Sequence, residues 1–223
     1  MRKYGILCFG DSLTWGFDPE NFVRMDEDKR WTGVLQELLG ENYKIIEEGQ
    51  NGRTIATDDP SEGEKNGIKY VIPCIESHKP LELMIIMLGT NDLKRKFSYS
   101  ASNVAGEMGV FLEKVQAYNR FHLDDRMQIL LVSPPAIGKP TDDAWTNDFY
   151  DFDDATNKSA ELPALYNELA GKFGCYFLDA SKIVDVCLLD GIHLDSENQS
   201  KLGKAIYDKI MEEILNDIPD ISK

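Results

Sequence analysis

Short apolar runs of strand length alternate along the chain with longer amphipathic stretches, the pattern of a parallel sheet covered on both faces by helices. Five runs read as strands: Tyr4 to Phe9, Tyr43 to Glu47, Leu83 to Leu88, Gln128 to Val132 and Cys175 to Leu178. The third, with Met84-Ile85-Ile86-Met87-Leu88 apolar throughout, is the most buried and belongs at the centre. Helical periodicity falls at Trp31 to Leu39, Gly67 to Ser77, Ser102 to Tyr118, Ala160 to Phe173 and Glu197 to Leu215. In the last, Leu202, Ala205, Ile206, Ile210 and Ile214 make one apolar stripe. Alternating elements of these two kinds predict right-handed crossovers and an α/β fold: a three-layer α/β/α sandwich around a five-stranded parallel sheet of doubly wound type.

Two stretches interrupt the alternation. Residues Phe17 to Lys29 are rich in Asp, Glu and Asn, and residues Gly138 to Asn157 contain Pro140, Trp145, Phe149, Tyr150 and Phe152. Connections of such length are usually functional or disordered, and the aromatics of the second favour an ordered wall or interface. No internal repeat or low-complexity tract is present. At 223 residues a single domain over 1–223 is expected, with enough chain to bury a core without cross-links.

Charge narrows the partners. With 24 Lys+Arg against 39 Asp+Glu the formal net charge is −15, which opposes nucleic acid and anionic membrane and points to a small neutral or cationic partner. The acidic residues are spread along the chain, so solubility alone accounts for much of this charge. Cys8, Cys74, Cys175 and Cys187 lie far apart with no C-x-x-C pair, suggesting neither zinc site nor redox motif; Cys8 and Cys175 read as buried small hydrophobes in a reducing compartment. Arg2 and Lys3 precede an apolar stretch too short for a signal peptide, and no run reaches the ~20 apolar residues of a membrane helix. A cytoplasmic protein is expected.

The candidate chemistry sits at the carboxyl ends of strands, where open α/β sheets bind ligands. After the first strand comes Gly10-Asp11-Ser12-Leu13-Thr14-Trp15-Gly16. Gly10 allows a tight turn, and Ser12 opens the next segment with its N–H unspent, as a nucleophile that also donates to an oxyanion requires. Alone, an Asp-Ser pair is more often a helix cap or turn. Near the C-terminus, Asp190-Gly191-Ile192-His193 places a base and an acidic partner on one loop. A serine hydroxyl needs such a base, and the histidine needs a carboxylate to fix its tautomer. His78 and His122 have no such neighbourhood in the sequence. Asn91, in Gly89-Thr90-Asn91-Asp92, and Gly52, in Asn51-Gly52-Arg53-Thr54, can add two donors to the N–H of Ser12 as an oxyanion hole.

With these four segments in order, the chain resembles the GDSL/SGNH hydrolases, whose four blocks carry Ser, Gly, Asn and His. Here they map onto Ser12, Gly52, Asn91 and His193, over nearly the whole chain. The resemblance implies the five-stranded, flavodoxin-like SGNH hydrolase fold. Gly-Asp-Ser-Leu-Thr-Trp-Gly, Arg30-Trp31-Thr32-Gly33, Glu47-Glu48-Gly49 and Asn51-Gly52-Arg53-Thr54 are similar to a branch of bacterial arylesterases, acetyl-ester hydrolases and acyltransferases. That likeness implies small acyl groups such as acetyl, an acyl-enzyme on Ser12, a catalytic set of Ser12, Asp190 and His193, no cofactor or metal, and a homo-oligomer whose subunits help wall the active-site channel. The loops at 17–29 and 145–152 depart most from the branch.

Asp11, Trp15 and Trp145 are candidate substrate contacts, with Trp15 equally placed for the core. Arg53 reads as an interface or structural ion-pair residue. A carbohydrate O-acetylesterase would use the same residues, with the aromatic loop stacking on a sugar ring. A flavodoxin-like binding module that lost its chemistry is the rival of another class, and Ser12, Asp190 and His193 argue against it. A membrane-acting lipase is disfavoured by the charge and by the lack of an amphipathic lid pattern.

Overall fold

A computed structural model describes residues 2–218; the remainder of the expected domain lies outside the described residues. Its five strands are β1 (Tyr4–Gly10), β2 (Tyr43–Gly49), β3 (Leu83–Met87), β4 (Gln128–Ser133) and β5 (Tyr176–Asp179). They form one parallel sheet in the order β2-β1-β3-β4-β5. The expected α/β/α sandwich is therefore observed, with every strand within two residues of its expected ends.

The helices are α1 (Ser12–Trp15), α2 (Trp31–Leu39), α3 (Gly67–His78), α4 (Ala101–His122), α5 (Phe152–Phe173) and α6 (Ser196–Lys209). Successive side chains of a strand face opposite ways, and β1 divides accordingly. Leu7 and Phe9 join Val71, Met108, Phe111 and Leu162 of α3, α4 and α5 on one face, while Ile6 and Cys8 join Trp31, Leu35, Leu202 and Ile206 of α2 and α6 on the other. Gln199 ties the second layer together: its Oε1 accepts from Trp31 N at 2.9 Å and its Nε2 donates to Leu13 O at 3.1 Å.

Three expectations need correction. Helix α5 begins at Phe152, eight residues before the sequence pattern suggests. Asp151 caps it by accepting from Asp154 N at 3.4 Å, and Phe152, Ala155, Ser159 and Leu162 continue one buried face. Five polar residues among the first seven, and Pro163, hide that face in the sequence. The last helix does not run unbroken to residue 215: α6 ends at Lys209, followed by a π-turn over Ile210–Ile214 and a 3₁₀ turn over Leu215–Asp217. The wider turn still buries Ile210 and Ile214. Cys175, expected to be buried, is only partly so, at the entrance to β5.

Candidate active site

Register explains the assembly of the site. Gly10 pairs with Gly49 of β2 and with Met87 of β3, so three neighbouring strands end side by side. The segments leaving them carry Ser12, Gly52 and Asn91 two, three and four residues later, at the switch point where crossovers diverge to either side of β1. No Cβ fits at Gly10, where it would fall 2.1 Å from Thr14 Oγ1.

Ser12 is the first residue of α1, so its N–H has no intrahelical acceptor. Asp11 caps that helix, with Oδ1 accepting from Leu13 N at 3.0 Å, and its Oδ2 accepts from Asn91 Nδ2 at 3.3 Å. Asn91 Nδ2 also donates to Arg53 O at 3.2 Å, so a single carboxylate fixes both the serine turn and the amide. Asp11 is fully buried, and desolvation raises its pKa to about 6 despite the Leu13 N–H and the nearby His193 and Arg53. It is a support of the site and not the substrate contact expected of it.

His193 completes the line. Its Nε2 lies 2.8 Å from Ser12 Oγ, and its Nδ1 lies 2.6 Å from Asp190 Oδ2. Asp190 Oδ1 accepts from the backbone N–H groups of Ile192 and His193, each at 3.0 Å. Burial pushes the Asp190 carboxyl up, but the His193 hydrogen bond, its charge and these two N–H groups outweigh burial and leave the pKa below the ordinary value. The carboxylate therefore stays ionised and holds Nδ1 protonated, leaving Nε2 as the acceptor facing the serine. Phe17 packs on the imidazole with ring centres 4.3 Å apart, and Trp145 stacks at 6.3 Å and 17°. These rings limit the imidazole's rotation.

Gly52 adopts φ +80°, a conformation that side chains avoid, and a Cβ there would meet Glu62 Oε2 at 2.5 Å. It lines, with Ser12, Asn91 and His193, a cavity of about 540 Å³. Phe17, Trp145, Phe149 and Tyr150 wall one part of it; Asn51, Ser61, Glu62, Lys65 and Lys94 wall another. Trp145 lines the cavity. Trp15 does not: it is half-buried outside the cavity, with Phe17 at 6.5 Å and the Arg24 guanidinium 5.5 Å above its ring. Arg53 is buried, and its Nη1 donates to Gly10 O at 2.8 Å and to Glu48 O, bridging the ends of β1 and β2.

The two long loops are ordered by specific bonds. Thr146 Oγ1 donates to Asp190 O at 2.6 Å, and Gly138 N donates to Gly191 O at 2.9 Å, so the aromatic loop is laced to the Asp190–His193 segment. Loop 17–29 is held by Arg30, whose Nε and Nη2 each reach Glu47 at 2.8 Å and whose Nη1 donates to Met25 O at 2.8 Å.

Glu62, Lys65 and Lys94 are absent from the sequence-derived site because no spacing rule joins residues so far apart in polar loops. His78 does have an acidic neighbour, Glu48 Oε1 at 2.7 Å, and with Cys74 these residues gather donor atoms within 4.8 Å of one another. This group stands apart from the Ser12 cavity lining. The Arg53 guanidinium, 5.5 Å from the Tyr70 ring that bonds the same Glu48, opposes a cation there.

The comparisons with known proteins agree with this geometry. A model of the GDSL-like Lipase/Acylhydrolase family matches residues 8–201. The chain belongs to that family. Est24, a carbohydrate acetylesterase from Sinorhizobium meliloti, superposes with TM-score 0.87 at 38% identity over 94% of this chain and 99% of its own. The native aryl esterase of M. smegmatis superposes with TM-score 0.85 at 37% identity, over 93% and 98% of the two chains. No curated protein matches at the level of sequence. This GDSL-like chain is accordingly a carboxylic ester hydrolase.

Proposed function

We propose that the chain is a serine esterase that removes short acyl groups, such as acetyl, from small esters through an acyl-enzyme on Ser12. The observation that carries this reading is the unbroken line from Ser12 Oγ through His193 to Asp190, opening on the cavity. His193 Nε2 takes the hydroxyl proton as Ser12 Oγ attacks the ester carbonyl, and the carbonyl π electrons move to oxygen. Ser12 N–H and Gly52 N–H receive that oxyanion, and Asn91 Nδ2 joins them by giving up its 3.2 Å bond to Arg53 O. Collapse expels the alcohol, protonated by His193; water, activated by the same histidine, then releases the acid. An alcohol in place of water gives acyl transfer. Asp190 stabilises the imidazolium throughout without taking its proton.

The alcohol side favours a ring bearing polar groups. Trp145 is 40% exposed at the cavity, and Ser61, Glu62 and Lys65 offer donors and acceptors elsewhere in its lining. A sugar acetate suits that arrangement, as Est24 is a carbohydrate acetylesterase; an aryl acetate uses the aromatic side alone. The net charge of −15 supports a reading without nucleic acid or membrane partners, and no helix among the described residues is long and apolar enough to cross a membrane. A cytoplasmic setting accords with four unpaired cysteines. Phe22, Trp145 and Phe149, joined by ring contacts at 6.3 and 5.8 Å and exposed at the surface, support a homo-oligomer. Light scattering at micromolar concentration tests that assembly, and a strictly monomeric mass removes it.

Hydrolysis of p-nitrophenyl esters of increasing acyl length tests the esterase reading. Acetate should be the best substrate, with a steep fall as the acyl chain lengthens and no turnover by Ser12→Ala. Equal rates on long chains would overturn the short-acyl assignment.

A further inference from the structure

The cavity lining is locally unlike the chain as a whole. Lys94 is buried and bonds Glu62 Oε1 at 2.6 Å, while Lys96 reaches the same oxygen at 3.1 Å and also pairs with Asp59. These two lysines and two carboxylates form a neutral cluster behind Gly52. Asp190 is partnered by His193, whose resting imidazole is neutral.

Lys65 is not. It lines the cavity, and among the described residues its ammonium has neither an ion-pair nor a hydrogen-bond partner. Its Cε lies 3.7 Å from the point a Cβ on Gly52 would occupy, a point that Glu62 Oε2 approaches at 2.5 Å, so the Lys65 side chain runs along the Gly52 turn. Asn51, on the same lining, makes no side-chain hydrogen bond among the described residues, and its Oδ1 is buried without a partner. Its amide N–H groups are therefore a second unspent donor.

An acetyl group fills a small part of about 540 Å³, so most of the cavity takes the alcohol portion of the ester. We propose that this alcohol portion carries a carboxylate, and that Lys65, assisted by Asn51, is the specificity determinant that receives it. The substrate class is then an O-acylated hydroxy acid, with its ring or chain against Trp145 and Phe149. The net charge of −15 does not oppose this at contact range. Exposed charges beyond about 8 Å are largely screened at physiological salt, whereas a partly buried ammonium against a carboxylate is screened much less.

The proposal rests on the esterase reading, and one matched substrate pair separates the two. Wild type and Lys65→Gln are assayed on 4-acetoxybenzoate, which is anionic, and on its neutral methyl ester. The readout is the anionic-to-neutral ratio of kcat/KM, in which the difference in leaving groups cancels between enzymes. The ratio should fall about tenfold in Lys65→Gln, equivalent to about 1.4 kcal/mol, and be retained in Lys65→Arg. Added salt should lower the ratio in wild type and leave it unchanged in Lys65→Gln. A ratio equal in wild type and Lys65→Gln overturns the proposal, including the case in which both rates fall together because Lys65 merely supports the oxyanion. If wild type hydrolyses neither ester, the esterase reading fails and this proposal falls with it.

Discussion

The two sides of the cavity are built on different principles. On the strand-end side, Ser12, Asn91, Asp190 and His193 are buried, and their side chains are held by hydrogen bonds anchored to Asp11, Arg53 and the backbone. On the loop side, Phe17, Trp145 and Phe149 touch through ring faces and edges at 5.8 to 6.1 Å and remain partly open to solvent. Hydrogen bonds fix direction to a few tenths of an ångström and are costly to leave unmade in a buried site. Ring packing is tolerant of rearrangement. The contrast assigns reaction chemistry to the first side and substrate choice to the second.

Substitutions on the strand-end side should therefore act on kcat, and those on the loop side on KM and selectivity. Ser12→Ala should cost about 10⁶-fold in kcat on p-nitrophenyl acetate, by analogy with serine triads in general. Asp190→Asn should cost about 10⁴-fold, because the wrong imidazole tautomer then faces Ser12; a loss below tenfold would break the comparison. Asn91→Ala should lower kcat by about 10²- to 10³-fold with an unchanged melting temperature to within a few degrees.

Asp11 sharpens the same contrast through pH. Its folded pKa is raised from 3.8 to about 6, so between those values the folded protein binds a proton that the unfolded chain releases. Wild type should gain stability relative to Asp11→Asn as pH falls from about 6 to 4, by about 3 kcal/mol in full. Asp190, shifted the other way, is common to both proteins and cancels in the difference. Denaturant melts of the pair at several pH values check this, and a difference independent of pH would place Asp11 in a less buried setting. Trp145→Ala should have the smallest effect, raising KM for aryl acetates about fivefold with kcat within twofold. A kcat loss of 10²-fold there would show that stacking on His193 is part of the chemistry.

The legible part of the molecule is the strand-end side. Apolar runs such as Met84 to Leu88 can hardly be anything but central strands, and once five such runs are ordered, short motifs at their ends must converge. The loop side is less legible. Trp15 and Trp145 look alike in sequence, and only the turn of Gly16 and the Thr146 bond to Asp190 O separate the tryptophan outside the cavity from the one within it. Asp11 is hard to read for a related reason: an acidic residue beside a nucleophile reads as a contact, whereas burial and its two acceptor roles make it a brace. Glu62, Lys65 and Lys94 meet through tertiary placement alone, which local pattern does not encode.

The central claim is that Ser12 carries the acyl group between two halves of the reaction. Rapid quenching of the enzyme with p-nitrophenyl acetate during turnover, followed by peptide mass spectrometry, tests it directly. One acetyl group on the peptide containing Ser12, absent in Ser12→Ala, is the expected result; turnover at full rate with that peptide unmodified and Ser12→Ala still active would contradict the account.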